Sequence, residues 1–159
     1  MSPPSDLPYR PCVGIMLFNA QGHVFVGKRL DQTVEAWQMP QGGIDRGEEP
    51  RTAALRELQE ETGTAKAQVI AEMDEWLTYD LPPHLIGVAF HGKFKGQRQK
   101  WFALRFTGTD GDIDLNAHHP EFSDWKWLAL KDLERVAAPF KRDTYAAVTR
   151  AFAKFAKAD

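Results

Sequence analysis

The stretch that decides the reading runs from Gly42 to Thr64: Gly42-Gly-Ile-Asp-Arg-Gly-Glu48-Glu-Pro-Arg-Thr-Ala-Ala-Leu-Arg56-Glu57-Leu58-Gln59-Glu60-Glu61-Thr62-Gly63-Thr64. Pro50 to Thr62 holds no glycine and is rich in Ala, Leu, Arg and Glu, with Pro50 tolerated in a first turn and Gly63 as the stop. That predicts a helix. At 3.6 residues per turn, Glu57, Glu60 and Glu61 share one face. Leu55, Leu58 and Thr62 fall roughly opposite, where they face a core. Like charges at this spacing repel by only ~0.2–0.5 kcal/mol per pair on an exposed helix, so a solvated acidic face is the ordinary reading of such a trio.

The rest of the stretch overrides that reading. Gly42 is followed after five residues by Glu48, and after seven more by Arg56-Glu57-Leu58-Gln59-Glu60-Glu61-Thr62-Gly63. With ~7% for Gly and ~6% for each charged type, chance delivers this arrangement about once in a billion start positions. Hard oxygen ligands clustered this way select Mg²⁺ or Mn²⁺, ions that bridge phosphates and activate water. Glycines at 42, 43 and 47 let the preceding loop turn tightly and bring Glu48 toward the helix. Arg56 suits a bidentate grip on a carboxylate, orienting it from behind.

Working outward, Val13 to Phe18 and Val24 to Val26, joined by Asn19-Ala-Gln-Gly22, read as strand, turn and strand. Leu30 to Ala36 reads as a polar loop, and Trp37 to Gly43 as an extended segment ending in a glycine turn. Val69 to Tyr79, Leu85 to Phe94 and Lys100 to Phe106 have strand-like composition, and Asp110 to Asp112 marks a turn. Trp125 to Leu128 alternates like a strand. Leu130 to Ala138 predicts a short helix stopped by Pro139. Arg142 to Lys157 predicts a longer helix whose Tyr145, Val148, Phe152 and Phe155 form a core-facing stripe. Strands interleaved with helices imply an α/β fold with helices packed on a mixed sheet.

The 159 residues suit one domain, here residues 9–159 behind a flexible lead-in at 1–8. Hydrophobic residues at 43% supply a substantial core, and a net charge of -2 argues against an extended footprint on duplex DNA. A single phosphorylated end needs only a local basic cluster. Lys93, Lys95, Arg98 and Lys100 are such a cluster, within eight residues that hold no acid. Cys12, the only cysteine, is expected to be a small buried hydrophobe. No signal-peptide pattern or membrane-length apolar run is present, so a cytoplasmic protein without a membrane partner is the expectation. His118 and His119 are adjacent in a loop and receive no role.

The Gly42–Thr64 pattern resembles the Nudix box, departing from it only where Thr64 stands for a closing aliphatic residue. That resemblance implies a Nudix-type α/β/α sandwich with a central mixed sheet, and hydrolysis of phosphoric anhydride bonds by metal-activated water. It further implies metal ligation by Gly42, Glu48, Glu57, Glu60 and Glu61, with Mg²⁺ (or Mn²⁺) in more than one copy. Glu60 or Glu61 stands as a base, and Arg56 belongs to the catalytic set as an orienting residue. Outside the box, Tyr9-Arg10-Pro11, Trp37 to Gly43, Trp76 to Pro82, Gly96 to Phe102, Pro120-Glu121-Phe122, Trp125-Lys126-Trp127 and Phe140 to Asp143 are similar to the bacterial RNA 5′-pyrophosphohydrolases and the related asymmetrical dinucleoside tetraphosphate hydrolases. This similarity adds Glu121 as ligand or general base. It implies Arg10, Arg29 and Lys141 as contacts to phosphates or the first nucleotide. Arg98 and Lys100 of the basic cluster are expected beside the metal site as charge-assisted donors to a polyphosphate tail, and Tyr79 and Phe140 are candidates for stacking on a base. The partners it implies are a 5′-triphosphorylated RNA end or a dinucleoside polyphosphate. A non-catalytic Nudix domain is the rival reading; such domains typically lose box glutamates, and this chain keeps them.

Overall fold

The computed structural model describes residues 7–30, 36–118 and 120–157. Most of the expected lead-in, most of the Leu30–Ala36 loop, and His119 lie outside these residues. The centre is a mixed sheet built on β1 (Tyr9–Phe18) and β2 (Val24–Arg29), with β3 (Trp37–Gln38) and β4 (Gln41–Gly43) following. After helix α1 (Pro50–Thr62) come β5 (Ala67–Glu72), β6 (Leu77–Asp80), β7 (Gly96–Phe106) and β8 (Phe122–Leu128). The main path is β3-β2-β1-β7-β5, with β4 paired to β1, β6 to β7 and β8 to β2. β1 and β7 run parallel over ten residue pairs from Tyr9–Gly96 to Phe18–Arg105; the other pairings are antiparallel.

Alternation along β1 divides the core in two. Val13, Ile15 and Leu17 pack with Phe102 and Leu104 against Ala53, Ala54 and Leu58 of α1. Met16 and Phe18 pack with Trp101 and Ala103 against Leu133 of α2 (Leu133–Val136) and Tyr145, Val148 and Phe152 of α3 (Arg142–Phe152). A sheet with helices on both faces is the architecture the sequence implied. Helix α1 ends as expected: Gly63 takes a left-handed φ of 78° and donates its N–H to the Gln59 carbonyl.

Several sequence readings change. Leu85–Phe94 is no strand. It forms a 3-10 turn at Pro83–Leu85 and an irregular turn at Ala89–Gly92 whose Phe90 and His91 are left-handed, with Gly87 and Gly92 also at positive φ. The β7 edge it would need is already held by β6. The Val69–Tyr79 strand splits into β5 and β6, and the last strand before Phe106 begins at Gly96 rather than Lys100. The two C-terminal helices are shorter than expected, because 3-10 turns at Leu130–Asp132 and Ala153–Phe155 take up their ends. Among the described residues no helix is long and apolar enough to cross a membrane.

Candidate active site

The site forms where α1 meets β4. Gly42 pairs with Val13, so the position faces α1, and a Cβ there would run into the Glu57 carboxylate. Gly43 pairs with Cys12 and faces the other way, where a Cβ would run into the Arg10 guanidinium. The two missing side chains let a carboxylate and a cation approach one strand from opposite faces.

Arg56 gathers the acids. Its Nε and Nη2 grip Glu48 at 2.9 Å each, Nη2 also donates to the Gly43 carbonyl at 2.8 Å, and Nη1 reaches Glu57 at 2.9 Å and Glu60 at 3.2 Å. The bidentate partner expected from sequence is therefore Glu48. This grip holds the Glu48 carboxyl below the usual carboxylate range. Glu57 goes the other way: burial, reinforced by the Glu60 and Glu121 charges, pushes it up to about 7 despite the Arg56 bond. Glu61, 3% exposed, is raised further by burial and then by Glu121 and Glu57.

Among the described residues, no three His, Cys, Asp or Glu side chains stand together as a ready cage for an ion. Arg56 draws three of the carboxylates onto itself. The donor set nevertheless fits a divalent cation. Glu61 Oε2 accepts from the Gln41 N–H at 3.0 Å, while its buried Oε1 receives no N–H and has only the Glu121 carboxyl beside it. An orphaned carboxylate oxygen inside a protein is costly, and a cation beside it removes that cost.

A cleft of about 1140 Å³ opens beside these acids. Glu57, Glu60, Glu121, Gly42, Arg10 and Arg29 line it, with Tyr79, Phe140 and Lys141 on the α3 side. Glu121 reaches it because its carbonyl takes the Leu30 N–H where β8 begins to pair with β2. Arg10 lies with its guanidinium over the Phe90 ring, 4.9 Å from the centroid. Tyr79 and Phe140 are neighbours at 5.6 Å between centroids, and Lys141, 6% exposed, donates to Gln38 Oε1 at 3.0 Å.

Arg98 and Lys100 are not brought to the cleft. They alternate with Gln97 and Gln99 along β7 and so point to the opposite face. Arg98 lies over Trp76 at 4.2 Å, and Lys100 pairs with Glu72 at 3.5 Å. Sequence reasoning missed Gln97 of β7 and Gln41 of β4, both of which line the cleft. Strand parity with Arg10 and Tyr79 was the signal that could have found Gln97. Cys12 is buried, and burial pushes its thiol up to about 11.

Acids, cations and aromatic rings lining one cleft suit a hydrolase of phosphorylated nucleotides. The chain belongs to the Nudix family: the NUDIX domain model matches residues 8–148. Members of that family generally need divalent metal ions. The RNA pyrophosphohydrolase of Roseobacter denitrificans is 58% identical to this chain over 148 residues, spanning 92% of both. That of Cereibacter sphaeroides is 52% identical over 151 residues, spanning 94% of this chain and 93% of its own. Among solved structures, the E. coli dihydroneopterin triphosphate pyrophosphohydrolase superposes with a TM-score of 0.68 at 18% identity, covering 91% of this chain and 99% of that one. A C. elegans Ap4A hydrolase binary complex does so at 0.66 and 20% identity, covering 91% and 98%. At those identities the likeness concerns the fold.

Proposed function

We propose that this chain removes pyrophosphate from the 5′-triphosphate end of RNA, leaving a 5′-monophosphate. One observation carries the reading. A single cleft holds Glu57, Glu60 and Glu121 within reach of Arg10, Arg29 and Lys141 and of the Tyr79 and Phe140 rings. The high identity to RNA pyrophosphohydrolases supports the choice of substrate.

The Gly42 carbonyl with Glu48, Glu57, Glu60, Glu61 and Glu121 would hold Mg²⁺ or Mn²⁺, in more than one copy. Such ions supply charge neutralisation of the phosphates and a water made nucleophilic at neutral pH. The protein does the rest. Arg10, Arg29 and Lys141 take the anionic chain with charge-assisted donors. Tyr79 and Phe140 offer apolar faces to a base, an interaction of ~1–3 kcal/mol that tolerates any sequence. Glu60, the half-exposed box glutamate, or Glu121 accepts the proton of the attacking water. Water adds to one phosphorus of the anhydride, and pyrophosphate leaves with the bridging oxygen.

Diadenosine tetraphosphate, split to ATP and AMP, is the second reading. It presents the same nucleoside and phosphate chain, and the fold is shared with an Ap4A hydrolase. Rates on triphosphorylated RNA and on diadenosine tetraphosphate, measured with Mg²⁺, decide between them. Faster release of pyrophosphate from RNA is expected; an undetectable RNA reaction overturns the first reading.

A further inference from the structure

Gln97, Gln99 and Trp101 share one face of β7 and are 2%, 0% and 0% exposed. Buried amides in a row are costly unless their hydrogen bonds close on each other. Here they do. Trp101 Nε1 donates to Gln99 Oε1 at 3.0 Å, and Gln99 Nε2 donates to Gln97 Oε1 at 2.7 Å and to Gln41 Oε1 at 3.2 Å.

Chemistry at the inner end fixes the direction of this chain. An indole N–H only donates, so the Gln99 amide must turn its oxygen to Trp101 and its nitrogen outward. Both hydrogens of that nitrogen then serve the two outer glutamines, which must turn their oxygens inward. Gln41 and Gln97 are left presenting Nε2. The Gln41 amide bonds the Tyr79 hydroxyl. Gln97 lines the cleft, and its Nε2 has no protein partner among the described residues. The indole itself cannot swing: a Cβ on Gly14 would overlap its ring, and Tyr145 packs edge-on at 5.9 Å and 84°.

Strand register sets Gln97 between two other cleft residues. It pairs with Arg10 on β1 and with Tyr79 on β6. At about 4.8 Å between strands, the row is roughly 10 Å wide, close to the reach of one nucleotide from phosphate to base.

We propose that Gln97 positions the substrate by donating from Nε2 to an acceptor oxygen of the nucleotide seated between Arg10 and Tyr79, and that Trp101, acting through Gln99, sets this amide to donate rather than accept. The inference rests on the nucleotide-polyphosphate reading of the cleft.

The test is steady-state kinetics of wild type, Q97A, Q99E and the double variant. Substrates are triphosphorylated RNAs beginning with A or with G, and diadenosine tetraphosphate, all at saturating Mg²⁺. Q99E can still accept from Trp101 but can no longer donate, so Gln97 and Gln41 turn their nitrogens inward. Q97A is expected to raise KM about tenfold with kcat within about threefold, as loss of one binding hydrogen bond does. Q99E is expected to match it, and the double variant to be no worse than the worse single one. A penalty confined to one starting base places the acceptor on the base; an equal penalty places it on phosphate or ribose. Unchanged KM in Q97A on every substrate overturns the contact, and fully multiplicative effects in the double variant overturn the relay. Should Q99E fail to fold, W101F, which keeps an aromatic side chain and removes the donor, replaces it: KM is expected to rise, and an unchanged KM overturns the relay. Wild type that ignores RNA but cleaves the tetraphosphate defeats the RNA reading and leaves the Gln97 test intact.

Discussion

Replacing Arg56 by lysine keeps the positive charge and removes the fork. All five guanidinium N–H groups are engaged: two on Glu48, one on the Gly43 carbonyl, and Nη1 on Glu57 and Glu60. An ammonium reaching the same point can serve three partners at most, and it cannot make the parallel pair to Glu48. At least two charge-assisted bonds are therefore lost. Each is worth ~1.5–3 kcal/mol when fully protected from water. Arg56 is 28% exposed and Glu60 48%, so the bonds to Glu48 and Gly43 dominate and the total comes down to about 2 kcal/mol.

Stability by urea unfolding of the metal-free protein measures that loss. Function should respond differently. Arg56 lies behind the carboxylates and does not line the cleft, so its effect on turnover runs through Glu48 and Glu57. R56K is expected to raise the Mg²⁺ concentration for half-maximal activity by about 10–100-fold, as loss of an outer partner does in other metal sites. At saturating Mg²⁺, substrate KM should return close to wild type. A higher substrate KM at saturating Mg²⁺, with the Mg²⁺ requirement unchanged, would show that Arg56 holds substrate and would refute the positioning argument.

Two shorter expectations concern the buried acids. E61Q keeps the oxygen that accepts from Gln41 but removes a charge that burial penalises, so the metal-free protein should gain about 1–3 kcal/mol while hydrolysis falls by orders of magnitude; loss of both stability and activity would sink this account. The pH dependence has a definite sign. Glu57 is raised from an ordinary 4.5 to about 7, so the folded metal-free protein holds a proton the unfolded chain has released. The stability this provides is complete below about pH 4.5 and is lost as pH rises through 7, on the order of 3 kcal/mol, with Glu61 adding in the same direction. Thermal melting in EDTA should fall between pH 5.5 and 8 and flatten with Mg²⁺; a melting point that does not move in EDTA contradicts it.

How much of this was legible in the sequence depended on which periodicity carried the information. The carboxylate helix was readable because Glu57, Glu60 and Glu61 lie within two turns, and helical spacing alone gathers them. Even there the single face divides: Glu60 is exposed, while Glu61 is buried against β4 and takes the Gln41 N–H. Glu121 was placed only by resemblance, since sixty residues separate it from Glu61 and β8 pairing brings it back. Leu85–Phe94 misled because its composition is apolar, whereas Gly87 and Gly92 at positive φ break any extended run. Arg98 and Lys100 were grouped with the site by charge. Alternation on β7 gives the opposite face to them and the cleft to Gln97, a residue whose neutral side chain advertises nothing.

That parity raises a question the sequence could not pose. Helix α1 and helix α3 cover opposite faces of the sheet, yet Glu57 belongs to one and Arg10 points to the other. A full-length strand between them would keep acids and cations apart. β4 is three residues long, and two of them are glycines, one on each face. Glu57 occupies the space of one absent side chain and Arg10 that of the other, so the acid end and the anion-binding end meet across a single strand's thickness in one cleft. A phosphate chain must touch both to be cleaved. The Gly42-Gly43 pair is thus required for more than a tight turn: any side chain at either position separates the groups that the chemistry has to join.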